Sequence, residues 1–144
     1  MHASVVLVGA KAALIRGPSG AGKSRLAWDL LQAATQGALP FARLVADDRV
    51  HVEVHGGLLL ARAAEQLAGL IEIYGLGIRR LPFEPVATVG LVVDLAATDA
   101  GRLPGSHAKA TEIAGVNIPR LVVAAGMAPL PLVLARLGTI PAAG

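Results

Sequence analysis

Lys23 and Ser24 close the run Gly17-Pro18-Ser19-Gly20-Ala21-Gly22-Lys23-Ser24, whose residue types at this spacing can hold phosphate. The run fits G-x-x-x-x-G-K-[ST], the phosphate-binding loop of nucleotide-using proteins. Gly17 and Gly22 let the backbone turn its N–H groups inward and approach phosphate oxygens where a Cβ would intrude. Lys23 can reach β- and γ-phosphates, and the Ser24 hydroxyl can ligate Mg²⁺. Four further groups bear on what would happen to a bound phosphate. Asp47-Asp48 ends the apolar run Leu44-Val45-Ala46. Neighbouring strand residues point to opposite sides, so two separate roles suit the pair: one carboxylate for a metal, the other for the proton of an attacking hydroxyl. The plainer alternative is a turn at a strand end, where Asp is common. Glu72 is the lone acid of Leu70-Ile71-Glu72-Ile73, and either faces solvent or meets a cation, because an unpaired buried carboxylate is costly. His2 precedes the first apolar run, where a histidine is ordinarily an uninvolved surface residue. His51, His55 and His107 have no metal-like spacing.

The elements that must position these groups are legible around the loop. Ser4–Val8 and Ala12–Arg16 read as two strands joined at Gly9-Ala10-Lys11, a hairpin feeding the loop. Leu26, Ala27, Leu30, Leu31 and Ala34 recur at helical spacing and predict a helix from Lys23 to Gln36, ended by Gly37 and Pro40. Its positive end would point at the phosphate site. Arg43–Ala46 reads as a buried strand. Val50, Val52 and Val54 alternate with His51, Glu53 and His55, and Gly56-Gly57 turns the chain into Leu58–Ala61, a second hairpin. Ala68–Ile73 is mainly apolar. Val89–Leu95 is the strongest central strand of the second half, residues 96–109 read as loop, and Leu121–Val123 as a strand. A C-terminal helix is expected over Leu132–Leu137, with Pro129 and Pro131 weakening its start.

Composition narrows the class. A chain of 144 residues, 54% apolar but only 3% aromatic, predicts one domain over 1–144 with a core of Ala, Val, Leu and Ile. Leu121–Ala135 is shorter than the roughly 20 residues of a spanning helix and is interrupted by prolines, so a core segment or an oligomer contact is expected instead of a membrane. The N-terminus lacks a charged stretch followed by an apolar block, so no signal peptide is expected. With no cysteine, disulfides and thiolate metal sites are excluded, and a cytoplasmic location is favoured. The net charge of +3 rests on scattered arginines, too sparse for a nucleic-acid face.

Taken together, four blocks resemble a known family. They are His2-Ala3-Ser4, the Gly17–Ser24 loop, Arg43-Leu44-Val45-Ala46-Asp47-Asp48-Arg49-Val50, and Ile71-Glu72-Ile73-Tyr74-Gly75-Leu76-Gly77-Ile78. In this order and spacing, over about residues 2–104, they look like the catalytic domain of bacterial HPr kinase/phosphorylase. The resemblance implies an α/β, P-loop-containing domain with a central mixed β-sheet flanked by helices, as in HPr kinase and PEP carboxykinase. The length resembles the short versions that lack the family's N-terminal domain. It also implies ATP and Mg²⁺ as cofactors, and HPr, the phosphocarrier of the sugar phosphotransferase system, as the partner phosphorylated on a serine. In the reverse reaction inorganic phosphate would attack the phosphoserine and release pyrophosphate. By resemblance, His2 is an active-site histidine, Lys23 and Ser24 bind phosphate and metal, and Asp47-Asp48 are the acidic pair, with Asp48 favoured as base and Asp47 associated with the metal. Glu72 matches a metal-associated glutamate and Arg102 a catalytic arginine, and a homo-oligomer, commonly a hexamer, is implied. Three positions depart from the family pattern. Arg25 stands where many members carry an acid, Tyr74 replaces the usual arginine, and Pro131 stands where a lysine implicated in phosphorolysis is expected. The kinase direction is therefore expected over the phosphorylase direction. The competing readings are a small-molecule P-loop phosphotransferase and a non-catalytic nucleotide-sensing module.

Overall fold

The computed structural model describes residues 1–98 and 109–142. Strands β1 (Ser4–Val8) and β2 (Lys11–Arg16) form the expected antiparallel hairpin, turning at Gly9 with φ 67°, a conformation glycine adopts without strain. The phosphate loop leads from β2 into helix α1 (Lys23–Thr35), followed by β3 (Ala42–Ala46). The helix ends where Gly37, at φ 87°, lets its own N–H and that of Ala38 return to the carbonyls of Ala34 and Ala33. β4 (Val50–His55) and β5 (Leu58–Ala63) are the second hairpin, paired from Val50↔Ala63 to His55↔Leu58. A 3₁₀ turn (Glu65–Leu67) precedes a small separate ribbon of β6 (Leu70–Ile73) and β7 (Gly77–Arg80). The chain continues through β8 (Ala87–Leu95), β9 (Ala110–Ile113), β10 (Val116–Val123) and helix α2 (Pro129–Gly138).

The main sheet has eight strands, with the path β3-β1-β2-β8-β10-β9 and the β4–β5 hairpin joined to it through β5 and β8. β2, β8 and β10 run parallel, and the other pairings are antiparallel, so the sheet is mixed as expected. Alternation along the strands sorts the core into two layers. Val6, Ile15, Leu44 and Val93 pack with Leu26 and Leu30 of α1 and Val133 of α2. Val5, Leu14, Val45 and Val92 pack with Val50, Leu59 and Ala61 of the second hairpin. Both helices thus cover one face and touch each other, while a hairpin covers the opposite face.

Local differences from the sequence reading have local causes. α2 begins at Pro129, three residues before the expected start, because prolines fit a first turn whose N–H groups have no helical acceptor. β7 and β9 were not anticipated: β7 is exposed throughout, so it carries no burial periodicity, and β9 is a four-residue edge strand. The inward series Val50, Val52, Val54 fades from buried to exposed as β4 leaves the core. Among the described residues no helix is long and apolar enough to cross a membrane.

Candidate active site

The end of β2 launches the phosphate loop, and its neighbour β8 fixes how closely the loop can lie. A Cβ on Gly17 would come within 3.1 Å of the Leu95 Cβ and 3.2 Å of the Ala21 Cβ and the Leu95 carbonyl, so a larger residue fits there only if these neighbours give way. Gly22 caps α1 at φ 98°, a position where glycine is needed. The first turn of α1 carries no acid, which leaves its N–H groups and dipole directed at an anion. The Lys23 Nζ donates to the carbonyls of Gly17 (2.9 Å) and Pro18 (3.2 Å), so the ammonium lies over the loop.

The acidic pair separates into two distinct environments. Asp47 is buried, and its carboxylate accepts three hydrogen bonds. Its Oδ1 takes the hydroxyl protons of Ser4 and Ser24, both at 2.7 Å, and Oδ2 takes the Glu72 backbone N–H at 3.1 Å. One carboxylate therefore ties together β1, the start of α1, the end of β3 and β6. Asp48 is exposed, and its backbone sits at φ 66°, in the left-handed region that non-glycine residues seldom occupy. A register shift in the β1–β3 pairing brings the pair to this place. Val6 pairs with Leu44 but Val5 with Ala46, so one extra residue is absorbed on β3. Without that shift Ser4 would lie opposite Ala46; with it, Ser4 meets Asp47, and the Ala3 N–H reaches the Asp48 carbonyl at 3.1 Å.

A cleft of about 1060 Å³ opens over the loop, lined by Gly17, Lys23, Ser24, His2, Asp48, Glu72 and Tyr74 among others. The structure therefore brings His2, the phosphate loop, Asp48 and Glu72 to one cavity, from positions spread over the first half of the chain. Asp47 lies beneath it, bonded to Ser24. Trp28 and Tyr74, the chain's single tryptophan and single tyrosine, also line this cleft, and Tyr74 is fully exposed. Arg25 lines it too, paired with Asp29 one turn along α1. Arg102 lies outside the described residues. His51 and His55 are exposed on β4, where His55 pairs with Glu53, away from the cleft's lining.

Among the described residues no three His, Asp or Glu side chains converge as a self-sufficient metal site. That suits Mg²⁺, which keeps several waters and binds through one or two protein oxygens plus phosphates. Ser24 gives its proton to Asp47, which leaves its oxygen lone pairs for a cation. The donor set of Ser24 and the exposed Glu72 carboxylate, with Asp47 behind Ser24, is all hard oxygen and fits this ion.

Two features escaped the sequence reading. Ser4, fully buried inside an apolar strand, is bonded to the acidic pair, and a polar residue in such a run was the available signal. The second is an ionic cluster below the loop. Asp94 of β8 accepts from Arg16 Nε and Nη2 at 2.7 and 2.8 Å and from Arg120 of β10, while Arg16 also reaches Thr111 of β9. Burial by itself would raise the Asp94 carboxyl, but the two guanidinium groups outweigh it and hold Asp94 below the ordinary carboxylate range.

Comparison with known proteins gives the chain its family. The model of the HPr Serine kinase C-terminal domain matches residues 1–129. The chain belongs to that family. HPr kinase/phosphorylases of Halalkalibacterium halodurans and Caldicellulosiruptor bescii are 31% and 33% identical over 85% of this chain. The chain spans only 41% and 40% of their lengths, respectively. In three dimensions it is similar to the HPr(Ser) kinase/phosphatase from Coxiella burnetii, with a TM-score of 0.76 at 20% identity, covering 96% of this chain and 87% of that one. The family match reaches past residue 104, where the motif resemblance ends, and stops at Pro129, so Pro131 lies beyond it.

Proposed function

We propose that this chain is an ATP- and Mg²⁺-dependent protein-serine kinase acting on HPr. The observation that carries the reading is the division of the acidic pair. Asp47 is buried and engaged by three donors, whereas Asp48 faces the cleft that the phosphate loop and His2 also line. Family membership and the names of the two bacterial relatives supply the partner, HPr.

In this reading the loop N–H groups and Lys23 hold the nucleotide's phosphates and offset their charge. Bound Mg²⁺, held through Ser24 and Glu72, would supply further charge neutralisation on the phosphates. Asp48 accepts the proton of the seryl hydroxyl as its oxygen bonds to the γ-phosphorus. The bond between that phosphorus and the β–γ bridging oxygen breaks, and ADP leaves. His2 lines the cleft beside this step, and Arg102 is assigned to the transferring phosphoryl group on resemblance to the family alone. Phosphorolysis is the weaker activity here: by resemblance, Pro131 replaces a lysine that would help bind inorganic phosphate, and Tyr74 replaces an arginine in a region tied to both reactions. A cytoplasmic homo-oligomer serving carbohydrate regulation completes the proposal, with the exposed Tyr74, Leu76, Ile78 and Ile140 available for subunit contacts.

The test is incubation with labelled ATP, Mg²⁺ and purified HPr, beside HPr whose acceptor serine is alanine. Label on native HPr alone is expected. Nucleotide binding without transfer to HPr would instead support a sensing module, the reading that the replaced residue at Tyr74 favours.

A further inference from the structure

We infer that Ser4 is a positioning residue for phosphoryl transfer, setting the Asp47–Asp48 turn through one hydroxyl; this rests on the kinase reading above. Ser4 is completely buried at the first position of β1. Its Oγ–H donates to Asp47 Oδ1 at 2.7 Å, and the same oxygen accepts the Asp48 backbone N–H at 3.3 Å. A hydroxyl has one proton and two acceptor lone pairs. With the proton committed to the Asp47 carboxylate, a lone pair is left for the Asp48 amide, so the two bonds are mutually compatible and jointly fix the hydroxyl.

The consequence falls on Asp48. A non-glycine residue at φ 66° persists only where its surroundings over-determine it. Here five bonds do so, among them the Arg49 N–H to the Asp47 carbonyl at 2.8 Å, which closes the turn across Asp48 itself. Besides the two at Ser4, the Ala3 N–H reaches the Asp48 carbonyl and the Val50 N–H reaches the Met1 carbonyl. Three of these bonds join backbone to backbone and do not depend on a side chain, whereas both bonds of the Ser4 hydroxyl do. Among the described residues only Ser4 contributes a side chain to both aspartates. It turns Asp47 towards Ser24 and Glu72 and leaves Asp48 facing the cleft. The β1–β3 register shift described above is what places Ser4 opposite the pair.

Ser4→Ala, Ser4→Thr and, as a stability control, Ile118→Val, buried on β10, which does not pair with β1, separate positioning from folding. Ser4→Ala is expected to lower kcat towards HPr roughly 10- to 100-fold, the scale on which small misplacements of reacting groups act. The KM for ATP should stay within about threefold, because the loop and Lys23 are untouched. Amide exchange at Asp48, read by NMR, should accelerate about tenfold or more in Ser4→Ala and stay unchanged in Ile118→Val. Ser4→Thr, which keeps the hydroxyl, should recover kcat and slow the Asp48 exchange again. If Ser4→Ala keeps kcat within twofold, or if Ile118→Val loses kcat to the same extent, the assignment is overturned. If Ser4→Thr is too strained to fold, the Ser4→Ala and Ile118→Val pair still decides. Wild-type protein that fails to phosphorylate HPr defeats the kinase reading itself, a result distinct from any behaviour of the variants.

Discussion

Asp47 and Asp48 are covalent neighbours of the same type, yet they are asked to do different things. Asp47 accepts from Ser4, Ser24 and the Glu72 amide, while Asp48 is exposed at the cleft. Asp48→Asn should therefore lower kcat by about 10²- to 10⁴-fold while nucleotide affinity stays near normal, the range a positioned general base supplies. Trp28 lines the same cleft, so its fluorescence can report nucleotide binding in that variant. Asp47→Asn should behave otherwise. It removes the charge that three donors converge on, and about 1–3 kcal/mol of stability should go with it, measured by urea unfolding. Lys23→Ala should abolish transfer and weaken nucleotide binding without lowering the melting temperature, since its bonds are to surface loop carbonyls.

At the scale of elements, the phosphate loop depends on the strand that launches it and on the strands beside it. Arg16 ends β2, Asp94 lies in β8 and Arg120 in β10, so one carboxylate clamps three parallel strands at the end from which the loop springs. Asp94 has a folded pKa held below its unfolded value. The unfolded chain thus binds the extra proton first as the solution is acidified. The stabilisation is complete above about pH 4, the unfolded aspartate range, and is lost as pH falls through the lower folded value. Denaturant unfolding between pH 6 and 3 should show this acid loss in the native chain and a shallower one in Asp94→Asn. Close packing makes the same region intolerant of bulk. Gly17→Ala brings a Cβ to 3.1 Å from Leu95, so the loop must shift, and nucleotide affinity should fall at least tenfold by fluorescence titration.

For the whole molecule, one face of the sheet carries both helices and the other a β-hairpin, with the cleft formed over the loop beside β6. Leu30 is fully buried between α1 and the sheet. Leu30→Ala should cost about 2–5 kcal/mol and unfold the domain cooperatively instead of disabling the cleft alone. In the proposed reaction, the balance between the two directions of transfer also belongs to this scale, because Tyr74 lies in the β6–β7 turn and Pro131 in α2. Pyrophosphate release from phosphoserine-HPr and inorganic phosphate should be much slower than HPr phosphorylation. Turnover at comparable rates would show that the cations absent at those two positions are dispensable.

The features determined by sequence alone are those whose parts are close along the chain. Strand, glycine loop and helix follow from 25 or so consecutive residues, because φ freedom, helical spacing and the Lys23-Ser24 ending are local properties. The acidic pair and Glu72 could be singled out on the same grounds. Arg16, Asp94 and Arg120 could not, since each is an ordinary charge until parallel pairing sets them side by side. Alternation suggests two roles for Asp47 and Asp48, but which of two identical neighbours takes which could not be read from it. That is decided by Ser4, 43 residues away, and by a one-residue shift in the β1–β3 register. That shift is a property of two strands packed together, and a hydroxyl's single proton then makes the two aspartates unequal.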